Sequence, residues 1–185
     1  MNSLPLQTPS LRLRRLVLDD AARLMELNGE RSTSRWLPSH VYDDVGAATS
    51  RVRDLISCYA SPGDPRLGPY VLAVDHLVRG VLIGHVGFSP IDGEVEVSYA
   101  IAEDSRRQGY GAEALLRGCL WAAEAFRLTL IVAFTETENA PSRRTLERAA
   151  FVHASDTVMQ FQGRRRAVSR YAWAPRGRSA QALDR

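Results

Sequence analysis

Apolar positions recur along this chain in two rhythms, one of period two and one near 3.6, and their succession predicts a mixed α/β domain. Leu11 and Leu13, with Leu16 after a skipped step, read as a first strand whose arginines face water. Asp19 and Asp20 offer a cap for a helix reaching about Asn28, with Ala21, Leu24, Met25 and Leu27 as its core face. A second helix is predicted over 44–59, stopped by Ser61-Pro62-Gly63-Asp64-Pro65. Stretches 70–74, 81–88 and 95–101 then read as consecutive antiparallel strands, with turn signals at Val78-Arg79-Gly80 and Pro90-Ile91-Asp92-Gly93.

Past residue 109 the helical rhythm returns. Leu115, Leu116, Cys119, Leu120 and Ala123 form a wide apolar stripe that must pack on a sheet, and the helix ends near Phe126. The run 128–134 is a buried strand, and another helix starts at Ala140. The chain closes with alternating stretches 151–161 and 165–173 around Gln162-Gly163, a hairpin. Beyond that, 175–185 offers no apolar face and reads as a disordered tail.

The pattern contains no internal repeat, and 185 residues with 45% hydrophobic content suit one domain. No apolar run approaches the roughly 18 residues of a membrane span, and no basic region followed by an apolar core opens the chain, so a cytoplasmic location is expected. Cys58 and Cys119 lie far apart without metal-ligand spacing; neither a disulfide framework nor a zinc site is suggested. The net charge of +3 is spread along the chain rather than gathered in a nucleic-acid-binding tract. All 24 basic residues are arginine.

The chemistry-bearing stretch is Arg106-Arg107-Gln108-Gly109-Tyr110-Gly111-Ala112, where a polar loop meets two glycines and opens a helix. Such a turn lets successive backbone N–H groups converge on an anion at the positive helix end, and the ligand it suits carries a pyrophosphate. Gly109-x-Gly111-x-x-Ala114 also satisfies the dinucleotide fingerprint, but that fingerprint follows a strand directly, and here the polar run 103–108 intervenes. Arg106, Gly109 and Gly111 fit R/Q-x-x-G-x-G/A, which resembles the coenzyme A pyrophosphate loop of the GNAT acetyltransferases. A second block, from Asn139 to Phe151, resembles that family's N-x-x-S-x-x-x-L-E-x-x-G-F, with Ala150 in place of the glycine. With the opening Thr8-Pro9-Ser10-Leu11-Arg12 and the closing hairpin, the resemblance covers about 8–174 and is nearest the ribosomal-protein-alanine N-acetyltransferase branch.

The resemblance implies a single GNAT domain over 8–174, with a mixed, mostly antiparallel central sheet flanked by helices on both faces. It implies acetyl-CoA as acyl donor, no metal, and as acceptor a primary amine of a protein N-terminus or small molecule, in a monomer or homodimer. Backbone groups of Tyr99, Ala100 and Ile101 would pair with the pantetheine arm. Arg106 and Arg107 would contact the phosphates, with Gln108, Gly109, Tyr110, Gly111 and Ala112 as backbone donors. Asn139 carries over as a pantetheine ligand, although an Asn there also suits a helix N-cap. Ser142 carries over as the donor to the departing thiolate, against the plainer reading of a helix-start serine.

The general base is less evident. Many relatives place a tyrosine acid seven residues after the asparagine, where this chain has Leu146, and the stretch 158–161 lacks the glutamate that serine-pattern relatives use. Glu96 is the first choice, on the strand leading to the glycine turn; Glu94, Glu96 and Ser98 share one face, which is equally readable as a solvated strand face. His85 is the other candidate, although a lone strand histidine is more often structural. Glu136 and Glu138 read as loop charges, Arg164-Arg165-Arg166 as a solvated turn or an acidic-acceptor site, and Trp36 as acceptor-pocket wall or core anchor. Two alternative functions follow from these gaps: a non-catalytic coenzyme A sensor, and a nicotinamide-dinucleotide oxidoreductase.

Overall fold

Alternation and helical periodicity resolve, in the computed structural model, into one eight-stranded sheet with helices on both faces; residues 3–175 are described. The strands are β1 (Leu6–Gln7), β2 (Leu11–Arg15), β3 (Tyr70–His76), β4 (Leu82–Ile91), β5 (Glu94–Ile101), β6 (Ile131–Glu136), β7 (Val152–Phe161) and β8 (Arg164–Trp173). Their spatial order is β1-β2-β3-β4-β5-β6-β8-β7, and every neighbouring pair is antiparallel except β5 and β6. The helices are α1 (Asp20–Gly29), α2 (Arg31–Ser34), α3 (Val45–Ser57), α4 (Tyr110–Phe126) and α5 (Ala140–Arg148). A doubly wound parallel sheet, which a dinucleotide site would require, is not what these strands form. The expected tail lies, apart from Pro175, outside the described residues.

The pleat divides the core in two. Leu13, Leu72, Val86, Phe88, Val97 and Ile101 pack with Leu115, Cys119 and Ala122 of α4 and with Leu146 of α5. On the opposite face Ala73, Leu82 and Ala100 pack with Leu24 and Leu27 of α1 and with Ala48, Val52 and Leu55 of α3. Each large side chain so buried contributes about 1.5–3 kcal/mol. Leu16 belongs to this second core rather than to β2, and its N–H donates to the Tyr59 hydroxyl, which in turn donates to the Val71 carbonyl.

Several local outcomes depart from the sequence pattern. Asp19 makes no side-chain cap; Asp20 instead accepts from Val17 N and pairs bidentately with Arg14, which also binds Asp75. The two-residue β1 and the four-residue α2 carry too few apolar positions for any period to show. All three expected turns form: Gly80 takes a positive φ between β3 and β4, and Asp92 with Gly93, then Gln162 with Gly163, are at positive φ as a type I′ turn requires. Cys58 and Cys119 are free thiols. No described helix is long and apolar enough to cross a membrane, and no three metal-ligating side chains cluster among the described residues.

Candidate functional site

The chain leaves β5 through a short 3-10 segment at Glu103–Ser105 and enters α4 by the glycine turn, with Arg107 at φ 61° and Gly109 at φ 88°. Because the first bond of the helix runs from Glu113 N to Gly109 O, at 3.1 Å, the N–H groups of Tyr110, Gly111 and Ala112 have no partner within it. They point outward at the positive end of a 17-residue helix. The two glycines do different work. A Cβ on Gly109 would meet nothing within 4 Å, so its requirement is the left-handed backbone; a Cβ on Gly111 would stand 3.0 Å from Thr145 Cγ2, so its requirement is the close approach of α4 to α5.

The Arg106 guanidinium, expected to contact a phosphate, is engaged by the protein itself. Its Nε donates to the Ile101 carbonyl at 2.6 Å and Nη2 to Thr33 Oγ1 at 2.7 Å, while Nη1 reaches Ser32 Oγ and the group lies 3.5 Å from Glu30. The side chain is a strut tying the turn to β5 and α2. Three other arginines line the same cleft: Arg107, and Arg144 and Arg148 one turn apart on α5. All three are exposed, with no carboxylate partner among the described residues. The i, i+4 spacing on the wet face of the helix after Asn139 was the signal for the latter two.

Between the cradle and the sheet lies a cleft of about 720 Å³, lined from Trp36 through Glu96, Tyr99, Gly109 and Ser142 to Phe161. It exists because β5 and β6 pair at a single position, Glu96 opposite Val132, and then part. Beyond that point Val97 to Ile101 pair only with β4, leaving their β6-facing edge open. On the other side β4 comes unusually close: a Cβ on Gly84 would be 2.3 Å from the Ala100 carbonyl oxygen.

Strand alternation gives the cleft two chemically distinct walls. On the α4/α5 side, Tyr99 Oη lies 3.1 Å from Ser142 Oγ and 3.3 Å from the Ser142 carbonyl. Asn139 is the N-cap of α5, its Oδ1 accepting from Ser142 N at 3.2 Å, and the buried side chain also lines the cleft, so its NH2 remains for a ligand. Leu146, at the position of the family's tyrosine, is core. α5 ends in a Schellman motif, with Ala150 N donating to Glu147 O and Phe151 N to Leu146 O, and Ala150 itself at φ 66°.

On the α1/α3 side the carboxylates of β5 part company. Glu94 is paired to Arg170 at 2.7 Å. Glu96 faces the cleft with no hydrogen bond or ion pair among the described residues, and burial pushes its carboxyl up to about 7. His85 is not part of this wall. It is fully enclosed, its Nε2 3.3 Å from Asn28 Oδ1, and burial followed by the nearby His40 pushes it down to about 3, a neutral structural ring. Trp36, Leu37, His40, Phe161 and Gln162 roof the wall, and Ser39 Oγ bonds Gln162 Oε1 to join the two halves of that roof. Glu136 is a strand residue rather than a loop charge, 3.5 Å from Arg166.

A backbone anion cradle at a helix start, beside a cleft between parting parallel strands, is the architecture of an acyl-CoA-dependent transferase. Residues 10–152 match the acetyltransferase (GNAT) domain model, and the chain belongs to that family: it is an N-acetyltransferase. Among curated proteins it is similar to the uncharacterized N-acetyltransferase p20 of Bacillus licheniformis, 25% identical over 149 residues, covering 79% of this chain and 81% of the relative. Among solved structures it resembles the ribosomal-protein-S5-alanine acetyltransferase of Vibrio fischeri, with TM-score 0.78, 17% identity, and 95% and 98% of the two chains covered. It also resembles RimL, a ribosomal L7/L12 α-N-protein acetyltransferase solved with coenzyme A, with TM-score 0.77, 16% identity, and 92% and 97% covered.

Proposed function

We propose that this chain moves an acetyl group from acetyl-CoA to a primary amine, of a protein N-terminus or a small molecule, by direct attack of the amine on the thioester. The observation that carries the reading is the unpartnered, raised carboxyl of Glu96 in the same cleft as the orphan N–H groups of Tyr110, Gly111 and Ala112. The cradle and Gln108 and Gly109 before it suit the pyrophosphate; Arg107, Arg144 and Arg148 suit the remaining phosphate charge. The open edge of Tyr99, Ala100 and Ile101 suits the amides of the pantetheine arm, as an added strand would.

The chemistry needs a neutral amine, because an ammonium has no lone pair to attack with. Glu96, with a proton affinity near neutrality, is placed to take the amine's proton as the C–N bond forms. As the C–S bond breaks, the sulfur gains charge, and Ser142, on the opposite wall, is placed to donate to it. Glu96 and Ser142 thus act from the two faces of the cleft.

Calorimetric titration with acetyl-CoA, succinyl-CoA and NADH, followed by thiol release on a panel of N-terminal peptides and small amines, tests this. Binding of acyl-CoA but not NADH, with thiol release dependent on an amine, is the expected result. Binding without release on any amine would favour a coenzyme A sensor instead.

A further inference from the structure

Ser142 carries one hydroxyl proton, and two places compete for it: Tyr99 Oη, 3.1 Å from Ser142 Oγ, and whatever occupies the cleft that Ser142 lines. If the serine donates to Tyr99, it has nothing left for a sulfur. Which of the two hydroxyls donates is therefore the question that decides whether Ser142 is of any use as a donor.

Two observations point to the tyrosine. A phenol is the stronger acid and the better donor of a tyrosine–serine pair, and Tyr99 Oη is 3.1 Å from Ser142 Oγ, inside the range of an O–H···O contact and closer than the 3.3 Å to the Ser142 carbonyl. The ring is also held in place. Its backbone is in β5, and α4 packs against it closely enough that a Cβ on Gly111 would lie 3.6 Å from Tyr99 Cε2. Burial raises the phenol above its ordinary value, against the opposing hydrogen bonds to Ser142 and Thr145 and the charge of Arg106, so Tyr99 keeps its proton throughout the neutral range.

We infer that Tyr99, through its hydroxyl rather than its backbone, is a positioning residue for acetyl transfer: it donates into Ser142 Oγ and so turns the serine proton toward the coenzyme sulfur. The inference rests on the functional reading given above. No proton leaves Tyr99. As the C–S bond breaks, the electron pair stays on sulfur, Ser142 O–H hydrogen-bonds to it, and the Ser142 oxygen is supported by the Tyr99 O–H; the chain of two donors is cooperative. Leu146 on α5, at the position of the family pattern's tyrosine, is core, and a phenol is here supplied from β5, reaching the sulfur site at second hand.

The thiol of bound coenzyme A reports this directly, without an acceptor amine. Its ionisation is followed by the ultraviolet absorbance of the thiolate in complexes with the full-length wild-type protein, Tyr99→Phe, Ser142→Ala and the double variant. Tyr99→Phe keeps the ring and removes only the oxygen. The expected result is that the bound thiol titrates about one pKa unit higher in each single variant and no higher again in the double, with coenzyme A affinity at low pH unchanged. With an amine substrate in hand, Tyr99→Phe is expected to lower kcat about 10-fold in the wild-type background and less than about 2-fold in the S142A background, with KM for acetyl-CoA unchanged. An unshifted thiol in Tyr99→Phe, or shifts that add in the double variant, would overturn the inference while leaving acetyl transfer intact. Failure of the wild type to bind coenzyme A would overturn the functional reading, and this one with it.

Discussion

Glu96 stands opposite Val132 at the one position where β5 and β6 remain in register, and the sheet opens immediately past it. The carboxyl is thus fixed where the backbone is still paired, while the space it faces belongs to the cleft. Replacing it by Gln keeps the shape and removes the proton acceptor. Turnover with saturating amine is expected to fall on the order of 100-fold, and the wild-type rise in rate through about pH 7 to disappear from the kcat profile. Steady-state kinetics across pH measure both; an unchanged profile assigns that proton to water.

The same residue sets a pH dependence of stability. In the folded chain the carboxyl holds its proton up to about 7, against an ordinary value of 4.5, so between these limits the folded state binds the extra proton and stability falls as pH rises. Stability from this source is complete below 4.5. Glu96→Gln removes the term, so its melting temperature is expected to match wild type in acid and exceed it above about pH 7. Thermal melts of the two proteins at both ends of the window test the sign.

Ala150 occupies the left-handed C′ position of the Schellman motif that ends α5, where glycine carries no Cβ penalty. Ala150→Gly is expected to stabilise the protein by about 0.5–1 kcal/mol, the left-handed strain relieved less the added freedom of the unfolded chain. Urea denaturation midpoints, with an unchanged slope, provide the measurement.

Arginines around the cradle should separate by role. Arg144→Gln with Arg148→Gln is expected to weaken coenzyme A binding about 10-fold in low salt and much less in high salt, with little effect on dephospho-coenzyme A. Arg106→Gln instead unties the turn from Ile101, Ser32 and Thr33, so its effect should be insensitive to salt and accompanied by a lower melting temperature. Calorimetry at two ionic strengths distinguishes the two patterns.

The glycines separate in the same way. Gly111→Val drives a side chain toward Thr145, Tyr99 and Ile101 and is expected to cost about 1–3 kcal/mol of stability. Gly109→Ala meets no neighbour, so its cost is the φ of 88° alone, about 1–2 kcal/mol, and weaker coenzyme binding wherever the turn relaxes. Melts and titrations of both variants are the check.

How far these features could be read from the chain depends on the distance over which each is decided. The strands and the helices at 110–126 and 140–148 announce themselves through alternation, periodicity and the Asn139 cap, all of which are local. The role of Arg106 is decided by Ser32 and Thr33, more than 70 positions away, and no local pattern distinguishes a strut from a phosphate ligand. Glu94 and Glu96 look alike on one strand face until Arg170 is brought beside the first and not the second. Tyr99 was legible as a backbone position before the cleft; that its hydroxyl meets Ser142 follows only from the packing of α5 on β5.

The division of β5 into two faces has a consequence for how such a protein changes its clientele. Everything suited to the coenzyme, from the amide cradle to the Tyr99 and Ser142 hydroxyls, is fastened to α4, α5 and one side of a single strand. The wall on the Glu96 side, proposed to receive the amine, is roofed by two separate pieces of chain, the segment around Trp36 to His40 and the tip of the β7–β8 hairpin, which the Ser39–Gln162 hydrogen bond joins. Both pieces are connections between elements, and Leu37 of the first packs against the α1/α3 core, so it is a residue to leave in place when the rest is exchanged. A new acceptor can therefore be acquired by rebuilding the roof over an unaltered engine, which makes those two segments the natural targets for grafting a different specificity onto this scaffold.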